Sequence, residues 1–205
     1  MSKELGLRAD AQRNRDQIVA AAQIHFRESG FDVPMEEIAR GAGVGVGTLY
    51  RRFPDRDSLI WATAQAVLRD LADMAETAWR EEPDAWAALC RFLRGCAERR
   101  LGALASAIEP RLHASIQSDP ELRSSRQTVS DLVERMTAGA KADGAMRPDV
   151  SPAEVGLLMT LRIYTPSDMS DDQAMRRVVD IVLDGLRTGR EPDPRKATQA
   201  RSGCR

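Results

Sequence analysis

Met35-Glu-Glu-Ile-Ala-Arg-Gly-Ala-Gly-Val-Gly-Val-Gly-Thr-Leu-Tyr-Arg-Arg-Phe53 is the stretch on which the reading of this chain turns. It divides into two short helical runs, 35–41 and 46–53, joined through Ala42-Gly43-Val44-Gly45. Gly43 falls where a tight turn needs a positive φ, a conformation that costs a residue with a Cβ about 1 kcal/mol or more. Ala39 is small where the second run must approach the first. Ile38, Val44, Leu49 and Phe53 supply an apolar seam between the two. That leaves Val46, Gly47, Thr48, Tyr50, Arg51 and Arg52 on the outer face of the second run. A short helix with a nearly bare first turn and two arginines suits a DNA major groove. The same pattern also describes a plain helical hairpin with solvated arginines, so the flanks have to decide.

Outside this stretch the apolar residues keep helical spacing almost throughout. Ile18, Ala21, Ala22 and Phe26 form one stripe, ended by Gly30. A long segment over 56–80 carries Ile60, Thr63, Val67, Leu71, Met74 and Ala78 on one side. Pro83 breaks it, and Asp84 is placed to cap a helix bearing Trp86, Leu89, Cys90, Leu93 and Ala97. A weaker helix runs toward Ile108, before Pro110. Asp119-Pro120 opens another, with Val129, Leu132, Val133, Met136 and Ala140 on one face and Gly144 at its end. Ser151-Pro152-Ala153-Glu154 has a hydroxyl cap, a first-turn proline and a glutamate three residues on, which together start a helix. Residues 155–164 are apolar nearly all round, and the last helix, 171–187, is broadly apolar as well. There is no run of β alternation and no internal repeat. The expected fold is all-α, in about nine helices. Residues 189–205 have Pro, Gly and Arg and no large apolar residue, and are expected to form a disordered tail.

Composition narrows the function classes. The chain has 205 residues and a formal net charge of −1, so a nucleic-acid-binding face has to be local. Residues 1–60 carry nine basic and nine acidic side chains, which also balance. The N-terminal MSKELGLRADAQRNRDQ holds no apolar stretch suited to a signal peptide, and no window reaches the roughly 20 apolar residues of a membrane span. A cytoplasmic protein with no membrane partner is expected. Three Cys without a CxxC indicate neither a disulfide framework nor a zinc site. His113 follows Glu109 at a helical ligand spacing, but Pro110 interrupts and no third ligand is near, so no metal is expected. His25 reads as a core or boundary residue, and Asp168, Asp171 and Asp172 as a solvated loop and cap. No nucleophile–base pair, phosphate loop or paired carboxylate stands out. The chain is expected to have no catalytic residues and no cofactor, and not to be an enzyme.

The stretch 35–53 and its flanks resemble the DNA-binding domain of the tetracycline-repressor (TetR) family. The resemblance begins with Arg13-Asn-Arg-Asp-Gln-Ile-Val-Ala-Ala-Ala22 and with Phe26, Gly30 and Phe31. It continues through Met35-Glu-Glu-Ile-Ala39, Ala42-Gly-Val44 and Gly47-Thr-Leu-Tyr-Arg-Arg-Phe53 to Pro54-Asp-Arg-Asp-Ser-Leu59. It implies a three-helix domain with a helix-turn-helix over residues 1–60, and a larger helical effector-binding and dimerisation domain over 61–188. It also implies roles. Val46 and Gly47 would lie closest to the bases, Thr48 and Tyr50 would contact phosphates and base edges, and Arg51 and Arg52 would reach phosphate or base. Arg56 stands where the family usually has a lysine gripping a phosphate. Two positions depart from the pattern. Gly45 replaces a common serine cap, at a cost of only a few tenths of a kcal/mol. Pro34 replaces a Thr or Ser and cannot make that residue's phosphate contact.

The resemblance implies a homodimeric regulator, a repressor released from a palindromic double-stranded DNA operator by a small-molecule effector. Met74, Trp86, Leu89, Leu93, Cys96, Met136 and Tyr164 are the expected pocket lining, mainly apolar, so a largely hydrophobic ligand is expected. Thr63, Thr137 and Tyr164 are the few polar groups on those stripes. The helices at 152–165 and 171–187, apolar round more of their circumference than one core contact needs, are the expected dimer interface. The alternative is an architectural DNA-binding protein without an effector, which would need no cavity.

Overall fold

The computed structural model describes residues 2–99, 119–159 and 171–189, and the described residues form eight helices. In chain order these are α1 (Ser2–Ser29), α2 (Met35–Gly41), α3 (Val46–Arg52), α4 (Arg56–Glu81), α5 (Ala85–Arg99), α6 (Pro120–Ala142), α7 (Pro152–Leu158) and α8 (Asp171–Leu186). The fold is all-α, as the periodicity predicts. The weaker helix toward Ile108, the residues around Tyr164 and the tail from residue 190 lie outside the described residues.

The helix starts are fastened by the side chains that the sequence offers for them. The Asp55 carboxylate accepts from Ser58 N at 2.7 Å, Asp84 from Ala87 N at 2.7 Å, and Asp119 from Leu122 N at 2.9 Å. Each satisfies a backbone N–H that the first helical turn leaves without a partner, typically for about 1 kcal/mol. Ser151 and Glu154 form the reciprocal capping box, with Glu154 N donating to Ser151 Oγ and Ser151 N donating to the Glu154 carboxylate. α1 begins well before the Ile18 stripe. Residues 10–17, the part of that extension whose side chains are described, are exposed or half-buried and carry local pairs, Arg13 to Asp10 at 2.9 Å and Gln12 to Asp16 at 2.8 Å.

One continuous core runs from Ile18 in α1 to Leu186 in α8. α4 is its axis and packs against α1, α5 and α6. It crosses residue 60, the expected domain boundary, without a break. α5 lies between α4, α6 and α8, and α7 packs on α6. The turn after α6 is tied to the end of α8 by a one-residue antiparallel bridge between Met146 and Arg187, where Arg147 N donates to Leu186 O at 2.9 Å. Arginines cover two tryptophans, Arg135 over Trp79 at 4.5 Å and Arg187 over Trp86 at 5.5 Å.

α5 and α6 approach closely because a glycine allows it. A Cβ built on Gly139 would stand 2.6 Å from the Cβ of Ala85, inside any tolerable contact. Neither atom is the end of a flexible side chain, so the helices themselves would have to part. Gly139→Ala is therefore expected to destabilise the protein by about 1–3 kcal/mol, against the small gain in helix propensity that alanine brings. Urea unfolding followed by circular dichroism measures it, and an unchanged or raised midpoint would contradict this packing.

Candidate nucleic-acid interface

α2 and α3 meet through a turn that the backbone fixes. Ala42 N donates to Ile38 O at 2.9 Å, Gly43 N to Arg40 O at 3.1 Å, and Val44 N to Ala39 O at 3.0 Å. Gly43 has φ +67°, the left-handed conformation that the sequence assigns to it. Gly45 is the N-cap of α3 in an extended conformation, with no side-chain cap, and its carbonyl accepts from Thr48 N and Leu49 N. Pro34 is the N-cap of α2 and likewise supplies no side-chain hydrogen bond. Beneath the pair, Ile38, Ala39, Leu49 and Phe53 are buried, with Val44 packed at the margin. A Cβ on Gly41 would fall 2.6 Å from His25 Nε2, so α1 closes on the end of α2 and His25 sits half-buried at that boundary.

This seam turns one side of α3 outward. Val46 and Tyr50 are exposed at 38% and 43%, high values for large apolar or aromatic side chains. Gly47 and Arg51 are exposed beside them, and Thr48 is half-buried. Arg52 is half-buried as well, and its Nε is enclosed without a hydrogen-bond partner. Arg56, the first residue of α4, differs from the rest of the predicted set. Its Nη1 donates to Phe31 O and to Val33 O, both at 2.6 Å, in a half-buried position against the loop between α1 and α2. Arg15 reaches the same region from α1, its guanidinium 5.6 Å from the Phe53 ring.

A second polar cluster joins α1 to the helices of the larger domain. Burial holds the Asp70 carboxyl above the usual carboxylate range, opposed by the nearby Arg99 guanidinium and a hydrogen bond with Gln23. Arg27 Nη1 donates to Arg99 O at 3.4 Å. Sequence periodicity gives no sign of this cluster, because its members are ordinary polar residues on helix faces.

The residues expected to line a pocket are placed as follows. Leu89, Met136, Cys96, Leu93 and Trp86 are buried members of the continuous core. Burial pushes the Cys96 thiol up to about 12. Met74 is half-buried against Gly95 and lines an open groove of about 600 Å³ between α4 and α5, whose walls include Asp70, Asp73, Arg91, Arg94 and Arg99. A hollow of about 330 Å³ lies between α5 and α8, bounded by Arg94, Glu98, Met175, Arg176, Val179 and Asp180. Both hollows are strongly charged and neither is enclosed by the predicted apolar set. Tyr164 lies outside the described residues. Of the polar groups, Thr63 donates its hydroxyl to Leu59 O at 2.8 Å. Thr137 Oγ1 and Trp86 Nε1 are buried without a hydrogen-bond partner.

A surface helix seated on a short partner through a glycine turn, with a wide-faced helical domain behind it, defines a helix-turn-helix protein with an attached all-helical domain. The comparisons with known proteins agree. Residues 18–63 match the family of bacterial regulatory proteins of the tetR type, and residues 84–188 match the C-terminal domain of transcriptional regulators similar to SbtR. A TetR transcription regulatory protein from Mycobacterium vanbaalenii is 32% identical, with 89% of this chain and 99% of that one covered and a TM-score of 0.61. A TetR transcriptional regulator from Streptomyces coelicolor is 33% identical, covering 85% and 99%, with a TM-score of 0.59. An HTH-type transcriptional regulator of Staphylococcus aureus strain USA300 is 41% identical over 66 residues, 32% of this chain. That match spans only 34% of the curated relative's length. The chain belongs to the TetR family of transcriptional regulators. Among the described residues no helix is long and apolar enough to cross a membrane.

Proposed function

We propose that this regulator is a homodimeric repressor that leaves a palindromic operator when a small, mainly hydrophobic effector enters the larger domain. The observation that carries the reading is the outward face of α3, where Val46, Gly47, Tyr50 and Arg51 are exposed on a helix whose opposite side is sealed by Leu49. Such a face reads a major groove through a few side chains, with Arg51 and Tyr50 as the hydrogen-bonding members and Val46 as an apolar contact. Thr48 and Arg52 flank it. Two copies related by a two-fold axis would present two such faces about 34 Å apart, hence the palindrome.

The dimer would use α7 and α8. Leu157 and Ile181 are exposed at 65% and 52%, the two largest exposures among the described large apolar side chains. Their burial against a second copy would complete a four-helix bundle. The effector would occupy space among α4, α5 and α6. The Thr137 hydroxyl and the Trp86 indole N–H support it, since buried polar groups almost always have partners and a bound molecule or water would supply one. The stripe that bears Thr137, with Leu132, Val133, Met136 and Ala140, is apolar, so area would set affinity and the hydroxyl would set orientation. Entry of the effector would shift α4 and with it the spacing of the two α3 helices.

The DNA reading is tested on an operator selected from random duplexes. Tyr50→Ala and Arg51→Ala are each expected to weaken binding about tenfold or more, with helicity and dimerisation intact. Binding that survives both changes would remove α3 as the reading helix. For the dimer, Ile181→Asp is expected to convert the protein to monomer at micromolar concentration in sedimentation equilibrium, while the wild type stays dimeric; a monomeric wild type would overturn that interface. For the effector, a thermal-shift screen of apolar and charged compounds is expected to find stabilisation and operator release among the apolar ones. Thr137→Val should then cost hits with a hydrogen-bonding group about tenfold in affinity and leave pure hydrocarbons unaffected. Release by charged compounds alone would count against an apolar site.

A further inference from the structure

Arg56 is held in a way that its charge does not foretell. Its Nη1 donates to two carbonyls of the loop between α1 and α2, Phe31 O and Val33 O, each at 2.6 Å and part-buried. Val33 is buried, and Phe31 leans on Phe26 with ring centroids 5.0 Å apart. The carbonyl of Val33 precedes Pro34, the N-cap of α2, by one residue. Pro34 gives α2 no side-chain cap, so the entry to α2 lacks the local hydrogen bond that a Ser or Thr would make there. On the other side, Arg56 follows Phe53, the C-cap of α3, by three residues, and the intervening Pro54 restricts the backbone. Asp55 caps α4 through Ser58 N at 2.7 Å and so fixes the turn that bears Arg56. The chain from the entry of α2 to the exit of α3 is thereby closed into a ring, with the guanidinium as its clasp.

We infer that Arg56 is a positioning residue for operator recognition, which clasps the two ends of the helix-turn-helix and sets the angle at which α4 carries α3, in place of a phosphate contact. This rests on the DNA-binding reading above and specifies how that site is oriented. A guanidinium has five N–H donors in a rigid fork, so it can hold two carbonyls from one nitrogen. A group that orients α3 affects the sequence-specific complex, where base edges must be met in register. It has little effect on loose binding to any duplex, which depends on how many phosphates are neutralised.

The test compares wild type, Arg56→Ala and Arg56→Lys on the selected operator and on an unrelated duplex across a salt series, with amide hydrogen exchange over residues 31–44. Arg56→Ala is expected to lose operator affinity about tenfold or more, and to keep the wild-type salt slope and unrelated-duplex affinity within about threefold. Exchange in α2 and its flanking turn should speed up by about tenfold or more, while α5 and α6 stay protected. Arg56→Lys, which keeps a donor of similar reach, should restore most of the protection. Equal loss on both duplexes, a slope smaller by about one and unchanged exchange in α2 would overturn the clasp and return Arg56 to the phosphates. If the wild type bound neither duplex, the DNA-binding reading would fall, and the exchange measurement alone would still decide whether Arg56 is the clasp.

Discussion

The burial of α4 on more than one face is the constraint from which the rest of the architecture follows. Along its first three turns Leu59, Ile60, Ala62, Thr63, Ala64 and Val67 are all buried, a set too wide for one side of a helix. α4 as a whole packs against α1 as well as against α5 and α6, so one helix serves both the small DNA-binding unit and the larger domain. Thr63 is tolerated at the centre because its hydroxyl bonds back to Leu59 O and leaves no polar atom without a partner. A helix enclosed in this way cannot slide without disturbing contacts on both sides. Contacts to α1 and to the helices of the larger domain are thus carried by one continuous helix.

Two further ties act across the same helix. Arg56 holds its first turn to the loop before α2, and Gln23, Asp70, Arg27 and Arg99 hold its middle to α1 and the end of α5. The second tie includes a carboxyl that burial makes harder to ionise, which a bare hydrophobic contact would not need. Polar contacts of this kind add less stability than the apolar core but are directional. They fix an angle where packing alone fixes a distance.

The parts of this fold that were legible in the sequence are those governed by local rules. Helix periods, the caps at Asp84, Asp119 and Ser151, and the left-handed turn at Gly43 each depend on residues within a few positions of one another. So does the seam of Ile38, Leu49 and Phe53, whose burial leaves the outward set of α3 by subtraction. The N-terminal turns of α1 were not legible, because a helix held by Asp10, Arg13, Gln12 and Asp16 has no apolar stripe to betray it. The destinations of long side chains were not legible either. Arg51, Arg52 and Arg56 carry the same charge within six positions, yet one is exposed, one has an enclosed Nε and one is bonded to carbonyls more than twenty residues away.

The pocket shows the limit of reading by stripe. An inward apolar residue satisfies a core and a ligand wall equally well, since both offer dispersion contacts and exclusion of water. Leu89, Leu93, Cys96 and Met136 therefore carry no information about which they serve, and here they are buried core members. A polar atom is a sharper marker, because its satisfaction can be checked. Thr63 and Thr137 are both fully enclosed threonines on inward stripes, indistinguishable by periodicity. One returns its hydroxyl to the helix and the other does not. Leaving a buried hydroxyl without a partner costs about 1–3 kcal/mol, and valine at that position would fill nearly the same shape at no such cost. The unpaired Thr137 hydroxyl thus sets this position apart from the apolar members of its stripe, which would serve a core and a ligand wall equally well.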